Sequence, residues 1–387
     1  MHEPLKVLVG ALGPGVLPSV DGPPPVGTIL LDLGPEHPSN AGLLELDLWT
    51  EDGVITSARV RVGAMHRGAE KLFEVRDYRQ ILMLADRHDW QAPFFGELGI
   101  ALTCEQMLGL EVPQRAVWLR TLLAEHTRIS SHAGFLGYVP HRLGVANPFT
   151  SLRAALRVQL QTLTGNRVHP MVNRIGGLGV DAEPDWLLQE ARLMTAVHEA
   201  ADQLGSLLET ETFVADTAGV APLGLPQITG HGITGPAARA SGVDIDLRRQ
   251  RPYLAYGGLE ALIPPPVTTT GDAWSRLRQL VVEVRTSAAL VEACSDRLAD
   301  LSGPVSVRLG KVVQLPEGEA YGAVEAPLGV AGVYLVSRGE KTPWRLKLRT
   351  PSFNHVAALE SLLPGVSTAH LEVTLASVGY VIGDVDK

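Results

Sequence analysis

Cysteine is nearly absent from this chain: two in 387 residues, Cys104 and Cys294, far apart and both in helix-patterned stretches. A disulfide framework is excluded, as is any zinc or iron–sulfur site held by this chain's own thiolates. Each cysteine reads as a small buried apolar residue. Long apolar runs are missing too. The longest stretch free of Asp, Glu, Lys and Arg, Thr217–Ala238, is broken by Pro222, Pro226 and Pro236. A membrane span needs roughly 20 mainly apolar residues with an intact helical ladder, so this stretch reads as irregular. Excess positive charge is lacking, and a formal net charge of −9 argues against a nucleic-acid partner. The opening MHEPLKVLVG has neither the basic start nor the unbroken apolar core of a secretory signal, so a cytoplasmic location is expected. No glycine-rich dinucleotide fingerprint follows a strand, and no flavin or metal is expected on the isolated chain.

What is present is an ordinary globular balance, 45% hydrophobic and 19% charged residues. The length exceeds a single typical core. An α+β class, mainly α, is expected, in four parts. Residues 1–63 form a small antiparallel β region carrying a shaped loop, and 64–211 a bundle of long helices. Residues 212–303 form a Gly/Pro-rich irregular segment followed by a long helix, and 304–387 a mixed α/β part. Thr28–Leu33, Leu43–Trp49 and Val54–Val62 read as strands, with Glu51-Asp52-Gly53 as the hairpin turn. Arg79–Leu108 reads as helix with a break or kink at Pro93. Further helices are expected from Pro113 to Gly137, from Pro148 to Gly165, from Pro184 to near Glu211, and over Asp272–Leu301. Loops are expected over 212–270, and short strands at Gly332–Ser337 and Trp344–Arg349.

Several positions carry chemistry. GPEHPSNAG (Gly34–Gly42) lies between two expected strands, and His37 is its only group titrating near neutral pH. By itself this loop reads first as an ordinary strand connection with an incidental His. Asp86-Arg87-His88-Asp89-Trp90 interrupts an otherwise apolar helix, which is costly unless the charges are paired or solvated. HRGAEK (His66–Lys71) puts His66, Arg67 and Glu70 at helical spacing, which also suits a capped surface turn. His169 falls in TGNRVHPMVNRIGG (Thr164–Gly177). The last fragment is GDVDK (Gly383–Lys387).

Together these four fragments resemble the 49-kDa (D) subunit of respiratory complex I, the relative of the [NiFe]-hydrogenase large subunit. The resemblance runs from about Leu30 to Lys387 and implies a hydrogenase-large-subunit-like fold. It implies a quinone cavity walled by His37, Asp89 and Trp90. It places Arg87, His169, His66, Arg67 and Glu70 near an iron–sulfur cluster held by a partner. The implied partners are a small cluster-bearing subunit, other peripheral-arm subunits and a membrane subunit, on the inner face of the cell membrane. Activity is expected of the complex as an NADH-quinone oxidoreductase, not of the isolated chain. The hydrogenase metal centre is excluded, because its two CxxC regions here read RHDWQA and GYVIGD, without the soft thiolate ligands nickel requires.

Three positions depart from the family pattern. Ala41 stands where the family has a second His, Trp90 where it has a Tyr, and Arg142 where it has an Asp paired with that His. Indole N–H donates one hydrogen bond but cannot accept one or supply a proton as a phenol can. A structural or assembly paralogue without ordinary quinone reduction is therefore the alternative reading. A third reading is an oxidoreductase with another acceptor or a proton path through His88.

Overall fold

A computed structural model describes residues 3–10, 27–34 and 36–387; Pro35 of the His37 loop and part of the expected amino-terminal region lie outside the described residues. The first sheet has the order β2-β1-β3-β4, with β1 Leu5–Gly10, β2 Ile29–Leu31, β3 Leu43–Glu51 and β4 Val54–Arg61. Asp52 and Gly53 turn β3 into β4 with φ of 49° and 78°, the positive values that make Asp-Gly a hairpin turn. Two features differ from expectation. β1 was not foreseen as a strand, and it pairs parallel with β2, so the sheet is mixed rather than antiparallel. The alternating acids of β3 are buried as well as its leucines, with Asp47 held by Arg61 at 3.2 Å.

Helices follow in the expected places. α1 Ala69–Phe73 and α2 Tyr78–Ala85 precede α3 Pro93–Leu108 and α4 Gln114–Leu136. They are followed by α5 Tyr138–Leu143, α6 Phe149–Thr164 and α7 Pro184–Leu208. A two-stranded ladder, β5 Asn173–Arg174 with β6 Gly177–Leu178, lies between α6 and α7. Pro at the first turn of α3 and α7 supplies a helical φ where no N–H partner exists anyway. Residues 212–270, expected as loops, instead carry α8 Glu211–Thr217, α9 Leu225–His231, α10 Gly235–Arg239 and α11 Leu247–Gln250. Each is one or two turns long, too short for a periodic pattern to register. α12 Ala273–Asp300 starts where the Asp272 carboxylate accepts the Ser275 N–H at 2.8 Å. It packs on both α4 and α7 and forms the spine of the bundle. Both cysteines are buried and unpaired, Cys104 on α3 and Cys294 on α12.

The carboxy-terminal part is an antiparallel sheet of β7 Gly318–Ala326, β8 Gly329–Ser337 and β9 Arg345–Arg349, which packs on α3. α13 Pro351–Leu362, α14 Leu371–Val378 and α15 Ile382–Val385 then bring the chain back to the bundle and the first sheet. The large apolar core takes side chains from Val7 on β1 through to Val385. A second core joins α1–α3 to the last sheet. Among the described residues no helix is long and apolar enough to cross a membrane.

Candidate functional site

The site is built around the turn between α2 and α3. Residues 86–92 were expected inside a helix; α2 instead stops at Ala85 and α3 starts at Pro93. The proline ring cannot continue α2, and Asp89 holds the break by accepting the Gln91 and Ala92 N–H groups, each at 3.1 Å. Three of the four fragments singled out in the sequence touch this turn or one another, and the fourth, Gly34–Gly42, packs on residues that flank two of them. Gly42 packs so tightly on Ile382 and Met65 that a Cβ would come within 2.8 Å of the Ile382 side chain. His66 Nδ1–H donates to the Asp386 and Lys387 carbonyls at 2.9 Å. His169 Nδ1 lies 3.3 Å from Asp86 Oδ2. Gly383 lies against Trp90, where a Cβ would sit 2.2 Å from the indole ring and 2.3 Å from the His88 carbonyl oxygen.

The carboxy-terminal tail is tied in along its length. Asp384 accepts the Ser352 N–H at 3.2 Å, and Asp386 accepts Gly63 and Met65 N–H, both at 2.8 Å. The helical spacing of His66 and Glu70 does not produce a shared helix face, because α1 begins only at Ala69 after Gly68 in the left-handed region. His66 serves the tail. Glu70 instead reaches Arg345 and the Leu348 N–H, both at 2.9 Å, and Lys347 at 3.3 Å. Burial would raise Glu70, but the Leu348 N–H and the two cations outweigh it and hold the carboxyl below its ordinary range. Arg67 is exposed beside them.

Asp86 is fully buried, and neither of its oxygens makes an aligned hydrogen bond, although Arg87 Nε lies at 3.1 Å. We read these contacts as charge proximity without hydrogen bonding. Burial raises Asp86 to about 6 against the pull of Arg87, and burial followed by Arg87 lowers His169. Arg87 stays 41% exposed at the side chain, so a fixed positive charge faces outward. Glu97, one turn into α3, accepts Met171 and Asn173 N–H at 2.8 Å and so anchors the His169 loop to this turn. Burial pushes it to about 7. Glu97 was not picked out from the sequence, yet a lone acid within PFFGELGIAL was its signal.

His37 lies deeper. Ser39 N–H donates to its Nδ1, so the proton sits on Nε2 and is donated to the Ala376 carbonyl at 3.3 Å. The ring meets Phe135 edge-on at 5.4 Å, and burial drops its pKa to about 3. His37 is therefore neutral throughout the physiological range. Ala41 ends the short 3-10 turn Pro38–Asn40 and is half-buried. Arg142 turns away from this loop, at 2.8 Å from Asp216 on α8 and 3.7 Å from Glu372 on α14. The link from the His37 loop to the Trp90 turn is Arg153 on α6. Its guanidinium packs over Gly134 with Pro38 and bonds Ser130 O and the Gln91 side chain. Sequence inspection missed it because its partners are 23 and 62 residues away.

Trp90 separates two small clefts, of about 50 Å³ on the Arg87, His88 and Lys387 side and about 30 Å³ on the His126 and Arg167 side. Neither approaches the roughly 300–1,000 Å³ of a pocket that encloses a small molecule. Roomier surface grooves exist, of 670 Å³ beside α3 and α4 and 700 Å³ between α7 and α12, but they share no residue with this junction. The junction is where the titratable groups converge, and among the described residues the grooves carry no comparable cluster of strained acids.

The family model described as the respiratory-chain NADH dehydrogenase 49 Kd subunit matches residues 149–314 and 307–387. The D 1 subunit of NADH-quinone oxidoreductase from Streptomyces coelicolor is 48% identical over 364 residues, covering 93% of this chain and 95% of the relative. The D subunit of the same oxidoreductase from Carboxydothermus hydrogenoformans is 35% identical over 363 residues, covering 92% and 98%. Among solved structures, a chain of the membrane-bound sulfane sulfur reductase, an archaeal respiratory membrane complex, superposes with a TM-score of 0.84 at 30% identity, covering 89% and 94%. The family model covers more than half of the chain and the relatives match it nearly end to end, so the chain belongs to the family of the 49-kDa (D) subunit of respiratory-chain NADH dehydrogenase.

Proposed function

We propose that this chain is the peripheral-arm subunit of a complex I-like NADH-quinone oxidoreductase. In this reading it forms one wall of a quinone cavity, beside an iron–sulfur cluster carried by a small partner subunit on the inner face of the membrane. The observation that carries the reading is the convergence of the His169 loop and the carboxy-terminal tail on the turn at Trp90, with His66 tied to the tail and the His37 loop joined to the turn through Arg153. The clefts there are too small to enclose a ring, which suits a cavity completed by a second chain. Exposed apolar side chains surround the opening. Met65 and Leu84 line the cleft at 38% and 36% exposure, with Leu72 at 46% and Val75 at 62% nearby. Arg87 supplies the positive charge that favours arrival of an electron, and Trp90 can stack on an acceptor and donate one hydrogen bond from its indole N–H.

A second reading, an oxidoreductase with an acceptor other than quinone, has its own support. Ala41 and Trp90 remove two proton donors, and Arg142 is already neutralised by Asp216 and Glu372. The sulfane sulfur reductase shares this scaffold, which supports an acceptor other than quinone. Purification of the chain with its co-expressed partners, followed by quinone-reductase assay, separates the two. Quinone-dependent turnover that falls at least tenfold in Trp90→Ala supports the first. An assembled complex that reduces no quinone favours the second.

A further inference from the structure

One group of side chains at the junction is used by neither reading. Asp89 and Asp384 are 8% and 2% exposed, and the His88 side chain 11%. His88 Nε2 lies 3.9 Å from Asp384 Oδ1, while its Nδ1 is buried without a hydrogen-bond partner. Among the described residues neither carboxylate forms an ion pair with Lys or Arg. We propose that Asp89, Asp384 and His88 form one proton-holding site, in which Asp89 holds a proton and His88 passes it to the cleft beside Trp90.

A buried carboxyl that meets a like charge and no cation keeps a proton that it would lose in water. Burial, then the charge of Asp384, pushes Asp89 up to about 8, although the Gln91 and Ala92 N–H groups oppose this. Burial keeps His88 neutral against the pull of Asp384, with Lys387 lowering it further and Glu70 raising it. Arg349 and His355 face Asp384 from the other side; burial lowers both. With a neutral ring, Nε2 faces Asp384 at 3.9 Å and can take up a proton while Nδ1 carries the transferable hydrogen. His88, Arg87, Trp90, Gly383 and Lys387 border the same cleft. The transfer is a relay: the Asp89 proton moves to Nε2 and the Nδ1 proton leaves to an acceptor in the cleft, after which a solvent proton enters at Nδ1 and Nε2 returns its proton to the carboxylate. No electron moves in it.

The role of this site in turnover rests on the function proposed above. Reduction of a quinone to a quinol takes two electrons, from the partner's iron–sulfur cluster, and two protons, one of which this site supplies. Trp90 and Ala41 have no proton to give near neutral pH, and His37 is committed to the Ala376 carbonyl.

The site is tested first on the full chain alone, by infrared titration of its protonated carboxyl band. We expect one band titrating near pH 8, lost in Asp89→Asn and shifted to lower pH in Asp384→Asn. Absence of the band, or a band unmoved in both variants, overturns the proposal. Asparagine keeps an acceptor oxygen for the backbone N–H groups each aspartate caps, so both variants are expected to fold. In the assembled complex, His88→Leu should lower kcat about 100-fold with KM unchanged, partly restored by added imidazole, as for loss of a general acid. Wild-type kcat and pH profile in His88→Leu overturn the relay. If the wild-type complex reduces no quinone, the functional reading fails while the infrared result still decides the proton-holding site.

Discussion

The bundle core and the Trp90 junction both bury many charges, and they treat their carboxylates in opposite ways. In the core, Glu125 meets Arg128 at 3.1 Å and Arg248 at 3.2 Å, and Glu283 meets Arg239 at 2.6 Å. Ser287 and Tyr256 hydroxyls add donors to Glu125. Burial alone would raise these acids, but the arginines and donors outweigh it, taking Glu125 to about 2 and Glu283 well below its ordinary value. At the junction, burial wins, leaving Asp86 at about 6, Glu97 at about 7 and Asp89 at about 8. The same residue type is a permanent anion in one place and a proton carrier in the other. The count of guanidinium partners within reach decides which.

This contrast is broken most severely by removing a core charge. Glu283→Gln should leave Arg239 and Arg248 short of counter-charge and cost about 3–5 kcal/mol, read as a lowered denaturation midpoint. A loss below about 1 kcal/mol would mean that water or rearrangement neutralises the core arginines. Gly383→Ala comes next, since its methyl would overlap the Trp90 ring and the His88 carbonyl. A cost of about 1–3 kcal/mol is expected, with a change in Trp90 fluorescence. Unchanged fluorescence and stability would mean that the tail is not seated on Trp90.

The two regions also predict opposite pH dependence. Core acids with lowered folded pKa stabilise above their unfolded values near 4 and lose that contribution as pH falls toward 2. Junction acids have raised folded pKa, so the folded chain binds more protons than the unfolded one from about pH 4 to 8. Stability then falls as pH rises through that window. His37, His88 and His355, all held low by burial, act separately, lowering stability below about pH 6.5. The difference between Asp89→Asn and wild type isolates one junction acid. The variant should gain relative stability between pH 5 and 8, at no more than about 1.4 kcal/mol per pH unit. A flat difference would place Asp89 with the core acids. The smallest effect is expected at Arg142, 38% exposed and outside both clusters. Arg142→Ala should cost about 0.2–1 kcal/mol and less at high salt, by thermal unfolding at two ionic strengths.

Much of this contrast was out of reach of local pattern. The helix from Pro113 was legible because its signals lie within a turn or two of one another, as was the β3–β4 turn at Asp52-Gly53. The same periodicity led through residues 86–92, where Pro93 and the Asp89 side chain terminate α2. It was silent on α8–α11, each too short to repeat. At the site, His37, Arg87, His169 and Trp90 were found through the motifs around them. Arg153 and Glu97 were not, since each acts through partners far along the chain.

By itself the sequence determined the mainly helical class, the exclusion of a thiolate metal centre and the family, because composition, apolar period and short motifs are properties of the chain in order. Only the tertiary structure decided which buried acids stay charged. Glu125 and Asp89 look alike in sequence, each close to an arginine along the chain. Protonation depends on which guanidinium groups, N–H donors and like charges the fold brings within a few ångströms, and those partners lie up to hundreds of residues away.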